Sequence, residues 1–259
     1  MSFEIRVFQT SKAGNKPEEC EDALSFDPQG RLFAIADGAT DSVFQRLWAG
    51  LLVKGFINHP PDFSRPSSVK EWFGGWLKTQ QEQWNKNIPP LDTLSWSGYN
   101  KVKMTGGQAT FLGIYFFPDK PVWKGIAFGD CNFFHFLNGG QVLYDYKPLI
   151  YSDEFGSSPV ALSSINPKPE LMLSHMMEIM GDYHKGDIIL LATDALAAWL
   201  VKEIETDKAS PWDTVLSLNT PDEFETFVNK LRSEKKIRND DTSLIMIEIT
   251  HAPDKSNIK

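Results

Sequence analysis

Polar and apolar residues alternate around Phe3, Ile5 and Val7, the period of a half-buried strand. Residues 23–26 and 32–36 read as two further strands, joined by the turn Asp27-Pro28-Gln29-Gly30. Over residues 42–56 the period changes. Val43, Leu47, Leu51 and Leu52 recur at helical spacing, with Ser42 or Asp41 placed to cap the N-terminus. A second helix is predicted over 67–85, between His59-Pro60-Pro61 and Pro89-Pro90, with Trp72, Phe73, Trp76, Leu77 and Trp84 filling a helix-on-sheet core. Strands are expected at 108–117, 122–128, 132–137 and 142–144, with Asn138-Gly139-Gly140 as a hairpin turn. The stretch 147–183 is rich in proline and serine and carries Met172, Met176, Met177 and Met180. It reads as a mobile, flap-like excursion from the sheet with one short helix. Residues 187–193 form a near-continuous apolar run of the fully buried kind. Helical pieces follow near 194–205, 211–218 and 221–233, then a last strand at 243–249 and a polar tail, 251–259, expected to fray. No repeat or linker divides the chain, so residues 1–259 are expected to form one domain. Strands flanked by helices on both sides predict an α+β fold, a central sandwich of two mostly antiparallel sheets in four layers, α/β/β/α.

Composition narrows the function. With 41% hydrophobic residues, eight Trp and eighteen Phe, 259 residues can fill a sizeable core. A formal charge of −8 argues against a nucleic-acid partner, which needs clustered Lys and Arg. No apolar stretch approaches the roughly 20 residues of a membrane span, and the N-terminus lacks the apolar core of a signal peptide. Cys20 and Cys131 could pair, but two cysteines suit a reduced, cytoplasmic compartment better. The five histidines form no metal-binding spacing.

Carboxylates stand where buried strands should end: Glu21-Asp22, Asp37-Gly38, Gly129-Asp130 and Thr193-Asp194. Asn239-Asp240-Asp241-Thr242 opens the last apolar run. Taken singly, each is an ordinary turn or a solvated sheet edge. Together in one cleft they would raise one another's pKa and take up protons unless a cation compensated them. An oxygen-only set suits Mg²⁺ or Mn²⁺ rather than zinc, which points to a metal-dependent hydrolase.

The strings CEDAL, AIADGAT, GGQATFLGI, AFGDCNFFHFLNGG, GDIILLATDALAAWL and NDDTSLIMIEI occur in that order between residues 20 and 249. In order and character they resemble the PPM family, the metal-dependent protein serine/threonine phosphatases of the protein phosphatase 2C type. The resemblance implies a β-sandwich flanked by paired helices and hydrolysis of phosphoserine and phosphothreonine by water bridging two divalent metals. Asp37 resembles the bridging carboxylate, with the Gly38 carbonyl as a further ligand. Asp194 and Asp240 resemble ligands of the second metal, with Asp37, Asp194 and Asp240 carrying catalysis through the metals. Glu21 and Asp22 line the same cleft, and Asp130 with Asp194 resembles the pair that holds a weaker third ion. Gly106 and Gly107 match small residues that open a central strand, in a structural role.

The chain departs from the family pattern at several points. Lys12-Ala13-Gly14-Asn15-Lys16-Pro17 stands where many members carry a phosphate-binding Arg, so Lys12 and Lys16 become the candidates for substrate phosphate. Ala39 and Thr40 follow the Asp-Gly pair, where many eukaryotic members have a His and bacterial-type members do not. Ala195 replaces a usual Gly, and Cys131-Asn132 a common Ser-Arg. The resulting expectation is a monomeric phosphatase whose partner is a phosphorylated protein. The alternative is a metal-binding, catalytically weak member that acts as a phosphoprotein-binding module.

Overall fold

The computed structural model describes residues 1–65, 67–156, 159–165, 169–206, 210 and 212–253. Among these residues the strands form two antiparallel sheets. One has the order β1 (Ser2–Thr10), β11 (Thr242–His251), β10 (Ile188–Ala192), β6 (Asn132–Leu137) and β7 (Val142–Lys147). The other runs β2 (Ala23–Phe26), β3 (Leu32–Gly38), β4 (Gln108–Phe116), β5 (Val122–Phe128) and β9 (Met177–Asp182), and the short β8 (Leu162–Ser163) also pairs with β4.

The two-residue period of the strands sorts the core into layers. Phe33, Ile35, Leu112 and Ile114 project between the sheets, where they meet Ile189, Leu191, Ile245 and Ile247. Their neighbours Leu32, Ala34 and Ala36 face outward and pack on α1 (Gln45–Asn58) and α2 (Ser68–Asn87). On the far side Leu190, Ala192, Leu244 and Met246 pack on α5 (Asp194–Glu205) and α7 (Pro221–Ser233). This is the four-layer α+β sandwich that the sequence pattern predicts.

Several local expectations change. Helix α1 begins at Gln45, and neither Ser42 nor Asp41 caps it; the N-cap is Phe44, at φ 52°. The Ser42 hydroxyl instead donates to the Ala39 carbonyl at 2.8 Å and accepts from the Gln108 N–H at 3.1 Å. A helix absent from the sequence reading, α3 (Trp96–Met104), starts at Ser95, whose side chain accepts from the Gly98 N–H. The excursion expected over 147–183 returns to the sheet before it ends. Met177–Asp182 is β9, paired with β5 from Val122↔Asp182 to Ala127↔Met177. Helix α4 (Pro169–Leu173) lies within this stretch, and α6 (Asp213–Leu216) occupies part of the expected 211–218 helix. Of the tail expected at 251–259, His251 still pairs with Ser2 in β11, and 254–259 lie outside the described residues.

Register brings the acidic motifs to one end of the sandwich. Ala192 pairs with Asn132 on one side and Leu244 on the other. Asp194, Asp130 and the Asp240-Asp241 pair therefore all lie just beyond the same rung of one sheet. In the other sheet Ala23 pairs with Ala36, which leaves Asp22 and Asp37 beyond the corresponding rung.

Candidate metal centre

Asp37 is the penultimate residue of β3, Asp194 opens α5 directly after β10, and Asp130 sits in the turn between β5 and β6. That turn needs Gly129 before Asp130: its φ is +80°, and a Cβ there would come within 2.5 Å of the Thr110 side chain. Gly38 answers a different demand, close approach. A Cβ on it would sit 2.7 Å from the Glu21 carbonyl oxygen, so only glycine lets the end of β3 lie against the Glu21-Asp22 backbone.

Asp37, Gly38, Asp130, Asp194 and Asp240 line one cleft of about 390 Å³, together with Thr40, Gln108 and Arg238. Asp22 lies behind it, buried, with Oδ2 accepting from the hydroxyls of Ser243 at 2.8 Å and Thr193 at 3.0 Å. A larger groove of about 820 Å³ runs beside α5 and α7, away from the acidic motifs. It is lined by Trp199, Phe227 and Leu231 and by carboxylates such as Glu203 and Asp222, and among the described residues no strand end delivers one to it.

The acidic groups perturb one another as the sequence suggests. Burial pushes Asp22 up to about 8, with the charges of Asp241 and Asp194 adding to the effect. Burial followed by the charge of Asp194 brings Asp130 up to about 7. Asp37 is raised by burial and then by Asp22, Asp194, Asp130 and Asp240. Asp194 is raised by burial, partly offset by the nearby Arg238 guanidinium. Three oxygens are left over: Asp22 Oδ1, Asp130 Oδ1 and Asp194 Oδ1 are buried and accept no hydrogen bond among the described residues. Leaving such oxygens bare is costly, and a bound cation is one way to satisfy them.

Among the described residues no three Asp, Glu, His or Cys side chains gather tightly enough to cage one ion on their own. Hard divalent ions do not require such a cage. Mg²⁺ is held by one or two carboxylates and keeps several waters, so an open, all-oxygen cleft with bare carboxylate oxygens fits it. Cys20 and Cys131 are free and buried, and burial raises both thiols, which makes soft-metal ligation unfavourable.

Other expected site residues have different partners. Glu21 is fully engaged by protein: Oε1 accepts from Gln45 at 2.6 Å, and Oε2 from the Lys12 ammonium at 2.9 Å and the Thr40 hydroxyl at 3.0 Å. Asp241 is a structural clamp, with Oδ1 accepting the Lys12 N–H and Oδ2 the Glu21 N–H, each at 2.8 Å. Lys12 reaches the acidic motifs, with Nζ 3.2 Å from Asp240 Oδ1 and 2.7 Å from Thr40 Oγ1. Its burial would lower its pKa, but Glu21 and Asp240 outweigh that and raise it. Lys16 is exposed, and its backbone serves the local turn: its carbonyl accepts from Ser11 and its N–H donates to Glu19. It does not line the cleft.

Arg238 was missed by sequence reasoning. Its guanidinium donates through Nη2 to Asp194 Oδ2 and lines the cleft. The only sequence signal for it is its position two residues before Asp240, far along the chain from Lys12 and Lys16.

No protein-family model matches the sequence, and no curated protein matches it. Solved structures do. The serine/threonine phosphatase PstP/Ppp of Mycobacterium tuberculosis aligns over 96% of this chain and 99% of its own, at 12% identity and a TM-score of 0.62. The serine/threonine phosphatase Stp1 of Staphylococcus aureus aligns over 96% of each chain, at 11% identity and a TM-score of 0.62. The catalytic domain of PstP, solved in complex with two manganese ions, covers 95% of this chain and 97% of its own, at 12% identity and a TM-score of 0.58. The chain therefore has the fold of these bacterial serine/threonine phosphatases along nearly its whole length.

Proposed function

We propose that this protein is a metal-dependent protein serine/threonine phosphatase of the PPM type. It would remove phosphate from phosphoserine and phosphothreonine in protein substrates. The observation that carries this reading is the convergence of Asp37, Asp130, Asp194 and Asp240 on one cleft, with buried oxygens of Asp130 and Asp194 lacking a donor among the described residues. The shared fold with bacterial phosphatases, one of them solved with two manganese ions, supports it.

Asp37, Gly38, Asp194 and Asp240 would hold two Mg²⁺ or Mn²⁺ ions, and Asp130 with Asp194 a third. When bound, such ions activate water for in-line attack and clamp the phosphoryl oxygens. The protein's own share is positional. Asp241 fixes the Lys12 and Glu21 backbone, so that Asp240 and the end of β3 are held at one rim. Asp22, bonded to Thr193 and Ser243, ties the two sheets together directly beneath the cleft. Lys12 offsets part of the negative charge. No side-chain nucleophile is required: the cysteines are buried and do not line the cleft. Unpaired thiols suit a reducing compartment such as the cytoplasm.

Hydrolysis of p-nitrophenyl phosphate, with and without Mn²⁺, tests the assignment. Turnover should require the metal, vanish with EDTA and be absent in Asp37→Asn. Robust turnover in EDTA would exclude the mechanism. Phosphopeptide binding without any turnover would favour the binding-module alternative instead.

A further inference from the structure

A phosphate monoester carries two negative charges into an already acidic cleft, and a protein cation at its rim would share with bound metal ions the task of meeting them. The sequence offers Lys12 and Lys16, and the structure adds Arg238. Lys16 does not line the cleft. Lys12 is fully committed: an ammonium has three donors, and its Nζ contacts Glu21 Oε2, Thr40 Oγ1 and Asp240 Oδ1.

Arg238 differs on each point. A guanidinium has five N–H donors in a fixed plane, and among the described residues only Nη2 has a partner, Asp194 Oδ2. Its side chain is 47% exposed and lines the cleft beside Asp37, Asp130 and Asp240. The two residues that follow it are pinned. Asn239 Oδ1 accepts the Ala13 N–H at 2.7 Å, and Arg232 Nη2 donates to the Asp240 carbonyl at 2.6 Å. An arginine that is anchored at one nitrogen and open at its others is preorganised for an oxyanion and can offer it two parallel donors.

We propose that Arg238, held by Asp194, receives the phosphoryl group of the substrate and so replaces the arginine missing from the N-terminal stretch. The inference rests on the phosphatase reading above. A residue that contacts phosphate alike in the ground and transition states acts on KM more than on kcat.

The test uses the Mn²⁺-loaded full chain and two readouts, calorimetric affinity for inorganic phosphate and KM against kcat on one phosphopeptide. R238M should weaken phosphate binding about tenfold, given the strength of a charge-assisted hydrogen bond in a partly solvated cleft. KM should rise in step while kcat changes far less. R238K, which keeps the charge and the fold but loses the fork, should fall between R238M and wild type. K16M should match wild type in phosphate affinity. Unchanged phosphate affinity in both Arg238 variants, with only Mn²⁺ affinity altered, would overturn the proposal and leave Arg238 as an anchor for Asp194. Loss of phosphate affinity in K16M would overturn it as well. A wild-type protein that binds Mn²⁺ but neither binds phosphate nor hydrolyses the peptide would remove the phosphatase reading along with it, whereas normal wild-type turnover with indifferent Arg238 variants removes this inference alone.

Discussion

Metal removal should leave a protein whose stability falls as pH rises through neutrality. In the folded chain Asp22 is pushed up to about 8 and Asp130 to about 7, both from an ordinary value of 3.8. A group whose folded pKa is raised contributes stability that is complete below its unfolded pKa and is lost as pH climbs through the folded one. The window is therefore about pH 4 to 8. Asp62, Glu205 and Glu234 act in the opposite sense, because hydrogen bonds from Ser64, Ser152 and Lys236 lower their folded values, and their contribution is complete once pH has passed the ordinary carboxylate range. Between about pH 5 and 7, Asp130 alone crosses roughly two units at about 1.4 kcal/mol each, or about 3 kcal/mol. Asp22, Asp37 and Asp194 act in the same direction but are electrostatically linked to one another, so the contributions should not be summed. For a chain of this size about 3 kcal/mol corresponds to a fall in Tm of about 6–12 °C. Differential scanning fluorimetry in EDTA between about pH 5 and 8 reads this directly. Millimolar Mn²⁺ should flatten or reverse the slope, because cation binding to deprotonated carboxylates strengthens as pH rises. A Tm in EDTA that stays level or climbs across the window would refute the electrostatic account of the cleft. Asp130→Asn should reduce the slope.

Asp37→Ala should abolish Mn²⁺-dependent turnover, and Asp194→Ala and Asp240→Ala should each lower kcat/KM at least about 10²-fold, because positioning carries most of the rate. Asp241→Ala should act on stability: its carboxylate satisfies two backbone N–H groups, and their loss should lower Tm by several degrees, with destabilisation of roughly 2–3 kcal/mol. Lys12→Met should tighten Mn²⁺ binding in calorimetry, because it removes a competing positive charge held between Glu21 and Asp240; weaker Mn²⁺ binding would contradict that placement. Gly38→Ala should destabilise the fold and weaken metal binding together, since the added methyl would meet the Glu21 carbonyl at 2.7 Å; a wild-type Tm would show that β3 can shift away.

The carboxylates were legible because each follows or precedes a buried apolar run, where a charge needs a reason. Asp194 after Ile188–Ala192 is the clearest case. What the sequence could not show was how the oxygens divide their work. Asp240 and Asp241 are adjacent and chemically identical, yet one faces the cleft and the other is spent on the Lys12 and Glu21 backbone. That difference arises from contacts between residues more than 200 positions apart. Arg238 escaped for a related reason: an exposed residue in a connection has no periodicity to mark it. Strand β9 was missed because, of Met177–Asp182, only Ile179 is fully buried, and an edge strand with one buried side chain leaves almost no alternation to read. Helix α3 buries only Val102 and has a Gly in its first turn, so its pattern is equally faint.

Strand β11 follows every other strand of the described residues in sequence yet occupies an interior place, between β1 and β10. Its nine-rung ladder with β1, from Ser2↔His251 to Thr10↔Thr242, joins segments from opposite ends of the sequence. Asp240 enters with it, and Asp22 meets its hydroxyl partner Ser243 only then. Until that strand docks, β1 has no neighbour in its sheet and the acidic cleft lacks one wall. The cleft would therefore be completed in one step, when strands far apart in the sequence pair, rather than built up piece by piece.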